Sequence, residues 1–223
     1  IFLIGEKRKM NTWMYLPIFA ASGATLLLTY TRGAWIGLIL IILILGVFRF
    51  RRFLAASLLV LAVLYMTVAP IQARVNDLLS PGPYGSIAWR WKLYQDTLGY
   101  VSEKPLLGHG IGTSQQVISE ERGPRSGSPS PHNDYLKVSL EYGYLGLLAY
   151  ISLIFSTWIY LFRNYWKEDK PNFKLLSLSF FALSFALFVM SFGDNILRVT
   201  ALQWSFWALV GGYAAVVGIK NEE

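Results

Sequence analysis

The chain has 223 residues, 54% of them apolar, with a mean hydropathy of +0.43 and a net charge of +7. That is too apolar for an ordinary soluble domain and points to a polytopic membrane protein. Cysteine is absent and only His109 and His132 carry imidazole, which excludes disulfide frameworks, thiolate sites and histidine-rich metal sites. The basic residues gather at the ends of apolar segments, so membrane lipids rather than nucleic acid are the expected partners.

The opening IFLIGEKRKM is an apolar stub followed by a basic cluster, the reverse of a signal peptide, and reads as the tail of an earlier span in a longer protein. A spanning helix needs ~20 mostly apolar residues, somewhat fewer where flanking side chains snorkel. Six stretches qualify, at about 11–30, 33–48, 53–69, 144–162, 173–192 and 199–219. The expected fold class is therefore all-α: a polytopic bundle of about six transmembrane helices, with residues 1–223 forming a single membrane-embedded domain.

Orientation follows from the short connections. Lys7, Arg8, Lys9, Arg49, Arg51, Arg52, Arg163, Lys167, Lys170, Lys174 and Lys220 fall on one side, whereas the short connections opposite carry only Arg32 and Arg198. The basic side is expected to be cytoplasmic, which places the long connection, residues 70–142, on the extracytoplasmic side. Within it, apolar residues recur at helical spacing over 71–79 and 87–101, predicting two short amphipathic helices on the membrane face, separated by SPGPYGS. EKPLLGHGIG then predicts a tight irregular path, and ERGPRSGSPSP a mobile flap too polar to bury a core.

The stretch PSPHNDYLKV places His132 where this polar tract meets an apolar helix. If Ser130 caps that helix, Pro131 takes its first position and His132 its first turn, with Asp134 close behind. The helix dipole then disfavours a charged imidazole, and a neutral one at a water-exposed membrane face suits a general base acting on a hydroxyl. The alternative is an interfacial histidine that only hydrogen-bonds its neighbours. His109, between two glycines, reads as a turn residue.

Arg32, in TYTRGAW, stands at the outer end of a span on the side poor in positive charge, so it either snorkels to headgroups or binds an anion such as phosphate. Arg90, between Trp89 and Trp91, is either a membrane-surface anchor or a ligand-binding group. GHGIG fails as a nucleotide loop, since Thr113 stands where a further glycine is needed and no strand precedes it. Gly143 and Gly146 suit close helix packing, Asp194 and Arg198 a local ion pair or, as the lesser alternative, contact with an acceptor, and Glu141 a partnership with Lys137.

The ordered set TRGAW, an outer-helix arginine followed by KPLLGHGIG, then HNDYL and EYGYLGLL, closely resembles the O-antigen ligase and polymerase superfamily over about residues 30–150. The resemblance implies a multi-span enzyme that takes a glycan from a polyprenyl diphosphate carrier, with much of its active site in a large extracytoplasmic loop. Carried over by position, it implies Arg32, Arg90 and His132 as catalytic residues, the two arginines also binding substrate together with Tyr94 and Asn133, and His132 acting either as the base for the acceptor hydroxyl or as a hydrogen-bonding ligand of the diphosphate. Tyr94 departs from the family habit of a tryptophan one turn after the loop arginine. The implied partners are a polyprenyl-diphosphate glycan donor and a glycan or lipid A core acceptor, at the outer face of a bacterial cytoplasmic membrane. No cofactor and no metal are expected. A transporter or flippase for an anionic lipid-linked glycan is the alternative; its polar groups are expected at mid-span rather than on an outer loop.

Overall fold

The structure is a computed structural model and describes residues 15–29, 31–79, 82, 85–122 and 129–222. Among these residues every regular element is helical: α1 (Tyr15–Leu28), α2 (Arg32–Phe48), α3 (Arg51–Thr67), α4 (Ala69–Leu79), α5 (Ser86–Glu103), α6 (Ser114–Arg122), α7 (Asp134–Lys167), α8 (Pro171–Met190), a 3-10 turn (Ile196–Arg198) and α9 (Thr200–Glu222). The basic cluster Lys7 to Lys9 and the flap residues 123–128 lie outside the described residues.

Among the described residues two helices, α7 and α8, are long and apolar enough to cross a membrane. The pair α3 and 69–76 is a third if counted as one span, although it bends by 96° where Val68 and Pro70 interrupt the helix, and α2 is a shorter apolar helix. Apolar side chains such as Leu59, Val60 and Met66 stand exposed along α3, which has no buried residue. Such exposure suits hydrocarbon or further helices rather than water. The all-α membrane class therefore holds.

The chain divides into two compact units, Ile1–Asn76 with Leu161–Ala186, and Asp77–Tyr160 with Leu187–Glu223. In the first, α2 and α3 form a hairpin through Arg49 and Phe50; a side chain at Gly46 would run into the Leu54 Cβ at 2.5 Å, so glycine permits their close approach. Phe48 packs edge-on against Phe162 and Tyr165, with ring centroids 5.8 and 6.0 Å away. The Trp35 indole donates to the Leu26 carbonyl at 3.2 Å, fastening α1 to α2.

The second unit is built on a small core of Leu93, Val101, Ile118 and Leu140, with Trp89, Tyr100 and Val117 packed around it. This core joins α5, α6 and the first part of α7. The two helices expected within residues 70–142 appear as α4 and α5, and α6 is a further helix that was not expected.

The junction of this unit with α7 depends on glycine. Gly143, with φ +67° and ψ −169°, breaks α7 after its second turn. The loop 105–110 supplies what the break leaves unbonded on both sides: the N–H groups of His109 and Gly110 donate to the Leu140 and Glu141 carbonyls at 2.8 and 3.0 Å, and the Tyr144 N–H donates to the Pro105 carbonyl at 2.7 Å. The backbones approach so closely that a Cβ on Gly143 would sit 2.2 Å from the Leu106 carbonyl oxygen, and one on Gly108 2.5 Å from the Glu141 carbonyl carbon. The close packing expected of Gly143 is thus against a loop rather than a helix. His109 belongs to the same junction, its Nε2 lying 2.8 Å from the Tyr100 carbonyl oxygen.

Candidate functional site

His132 is held by three pieces of the second unit. Asn133, not Ser130, is the N-cap of α7: its Oδ1 accepts the Leu136 N–H at 3.1 Å, and its carbonyl accepts the Lys137 N–H at 3.0 Å. Asp134 then opens the first turn, where a negative charge is favoured. The expected register is therefore corrected by three residues, because asparagine caps as well as serine and its side chain can reach the right N–H. His132 sits just outside the helix with φ +48°, in the left-handed region that histidine enters more readily than most residues.

α5 forms one wall. Arg90 and Tyr94, four residues apart, share a face of this helix. The Tyr94 hydroxyl lies 2.9 Å from the His132 carbonyl oxygen and 3.0 Å from that of Phe192, donating to this pair. Burial pushes the Tyr94 hydroxyl above the ordinary phenol range despite the opposing Arg90 charge, so it remains a donor. Trp89 meets the imidazole edge-on with centroids 5.9 Å apart.

The turn after α8 forms the other wall. Arg90 Nη1 donates to the Gly193 carbonyl. The Asp134 N–H donates to the Ser191 carbonyl at 2.9 Å, the Tyr135 hydroxyl donates to the Phe188 carbonyl at 2.8 Å, and the Tyr135 ring stacks on Phe192 at 4.1 Å. Asn195 Nδ2 donates to the Ser130 hydroxyl. These contacts bring Asp194 Oδ1 to 3.6 Å from His132 Nδ1. That separation is longer than a hydrogen bond, and Nδ1 is buried with no hydrogen-bond partner among the described residues. Asp194 thus faces His132 and accepts the Asn195 N–H at 2.8 Å, in place of the expected pairing with Arg198.

Glu141 departs from expectation too. It is only 4% exposed, and its Oε1 accepts the Ser114 N–H at 3.3 Å, capping α6 from across the core. Arg122 at the far end of α6 pairs with Asp96 of α5 at 3.2 Å.

Of the residues singled out in the sequence, the structure brings Arg90, Tyr94, His132 and Asn133 together; Arg32 begins α2 in the other unit. Asn133 is 7% exposed and engaged as the cap. Sequence reading missed Trp89 and Asp194 as neighbours of the histidine, since only the fold brings these distant segments together. Chemically, the cluster offers an imidazole with a carboxylate on one side, a guanidinium anchored to the facing turn, and a phenol fixing the backbone between them. Among the described residues no three His, Cys, Asp or Glu side chains converge as a metal site.

Comparison with known proteins gives this arrangement a family. The chain is 28% identical over 173 residues to a Rickettsia conorii protein provisionally named as a polysaccharide ligase, covering 72% of this chain and 40% of that protein. It is 27% identical over 173 residues to a Rickettsia felis protein with the same provisional name, again 72% of this chain and 40% of the relative. An uncharacterised Haemophilus influenzae protein is 25% identical over 187 residues, 73% of this chain and 46% of that one. The chain thus spans less than half the length of these curated relatives. The O-antigen ligase family matches residues 17–151, more than half of the chain and a range that includes TRGAW, Arg90, GHGIG and His132. A membrane helix protein with this ordered set of motifs, folded around the histidine they lead to, belongs to the O-antigen ligase family.

Proposed function

We propose that the protein transfers a glycan from a polyprenyl diphosphate carrier to an acceptor hydroxyl, either of another glycan or of a lipid A core sugar, at the outer face of a bacterial cytoplasmic membrane. The observation that carries this reading is the grouping of His132, Arg90, Tyr94 and Asp194 at the start of α7. The six spans, with residues 70–142 outside the cytoplasm, belong to the same proposal.

In the proposed step the acceptor oxygen attacks the sugar C1, the bond from C1 to the diphosphate oxygen breaks, and the acceptor's proton passes to the imidazole. His132 is the general base, and Asp194 orients its ring and stabilises the imidazolium. Negative charge grows on the departing diphosphate, and a guanidinium already anchored to the protein meets it without reorganising. Arg90 takes that role here, and Arg32 is assigned to the diphosphate from its sequence context alone. Tyr94 and Asn133 border the bound substrate and fix the turn that carries His132. One direct displacement inverts the configuration at C1.

The test is a transfer assay with a defined polyprenyl-diphosphate glycan and a panel of acceptors, using the full-length protein in lipid. A new glycosidic bond with inverted configuration supports the proposal. Movement of the lipid-linked glycan across the bilayer without a new bond would instead favour a transporter.

A further inference from the structure

Beside the histidine segment lies a second polar feature that this mechanism leaves unused: a cavity of about 100 Å³ whose lining includes Gln115, Ser130, Lys137, Glu141, Asn195 and Arg198. A polar space of that size holds several water-sized groups, enough for one hydroxyl-bearing edge of a sugar.

The polar groups around it select the occupant. Asn195 is 7% exposed; its Nδ2 is engaged by the Ser130 hydroxyl, while its buried Oδ1 has no hydrogen-bond partner among the described residues. A buried carbonyl oxygen without a donor is unfavourable and calls for one. Glu141, equally buried, uses Oε1 for the Ser114 N–H, and a carboxylate has acceptor capacity beyond that one bond. Lys137 and Arg198 add donors to the same wall. An occupant must therefore both donate and accept. The diesterified diphosphate of a lipid-linked glycan only accepts, and would meet a carboxylate and an orphan carbonyl oxygen. Sugar hydroxyls do both.

The cavity also shares its supports with the histidine. Asn195 follows Asp194, which faces His132, and Ser130 precedes His132 by two residues. We propose that this cavity is a subsite for the hydroxyl edge of the acceptor sugar, which it holds beside the general base. The inference rests on the transferase reading for the word acceptor, but binding of a neutral sugar can be measured without it.

The experiment uses full-length protein in nanodiscs, with methyl α-glucoside, methyl α-galactoside and inorganic pyrophosphate as probes for saturation-transfer NMR, alongside transfer kinetics. Glu141→Gln keeps the size and the bond to Ser114, and Arg198→Ala alters an exposed side chain, so at least one variant should fold. The expected result is sugar binding and acceptor KM weakened about tenfold in each folded variant, with donor KM and pyrophosphate binding unchanged. Wild-type protein that binds none of the sugars, variants that bind them as wild type does, or a rise in donor KM alone overturns the proposal. If wild type forms no glycosidic bond, the transferase reading fails, and the sugar signal and its loss in the variants still decide the subsite.

Discussion

The Nδ1 of His132 faces the Asp194 carboxylate across 3.6 Å, a relationship between a segment that precedes α7 and a turn that follows α8. A shift of about half an ångström turns this separation into a hydrogen bond. If Asp194 orients the imidazole, Asp194→Asn lowers kcat by about a hundredfold while donor KM stays near wild type. Steady-state kinetics check this, and an unchanged kcat removes Asp194 from the reaction.

Arg90 separates charge from geometry. Lysine keeps the positive charge but loses the planar fork that reaches the Gly193 carbonyl. Arg90→Lys is expected to lower kcat/KM by about a hundredfold and Arg90→Ala by more, with donor KM raised in both. Because guanidinium groups supply the positive charge in this account, added chelator leaves the rate unchanged. Measured rates with and without chelator check that.

The break in α7 can be tested through stability. Gly143→Ala forces a Cβ to within 2.2 Å of the Leu106 carbonyl oxygen, in a backbone conformation that L side chains rarely adopt. A loss of about 3 kcal/mol or more is expected, read as a lower Tm in detergent. Gly23→Ala, where a Cβ meets nothing within 4 Å, serves as the control and leaves Tm nearly unchanged.

Tyr94 gives a pH signature. Its folded-state pKa lies above the ordinary value of 10.0, so the folded protein holds this proton more tightly than the unfolded chain does. Its contribution to stability is therefore complete below pH 10 and fades as pH rises through the raised value. Tyr94→Phe is expected to lower Tm at pH 7 through loss of the donor to the His132 and Phe192 carbonyls, and the gap from wild type should narrow above pH 10. Tm measured against pH for the two proteins checks the sign.

How much was legible beforehand differs by element. Helices α2, α3, α7 and α8 could be read because runs such as GLILIILILGVF leave little choice of structure or solvent, and α5 because its apolar residues keep helical spacing. The helix α6 was missed. Thr113 and Gln116 stand at capping-box spacing, but the sequence is polar, and the cap that matters is Glu141, 27 residues away. The histidine was visible as an imidazole at a helix start, yet its register was three residues off because Ser130 and Asn133 are comparable caps and only packing chooses between them. Helical periodicity put Arg90 and Tyr94 on α5, and the family resemblance put them at the site. Asp194 and Asn195 could not be placed, since local spacing pairs Asp194 with Arg198 and says nothing of a segment 62 residues upstream.

The central claim is that His132 takes the acceptor's proton, and the most direct measurement compares wild type with His132→Ala in the purified transfer assay while donor binding is followed separately. The account predicts a fall in kcat of about 10² to 10⁴-fold with donor binding retained. Transfer at the wild-type rate in the variant would contradict it.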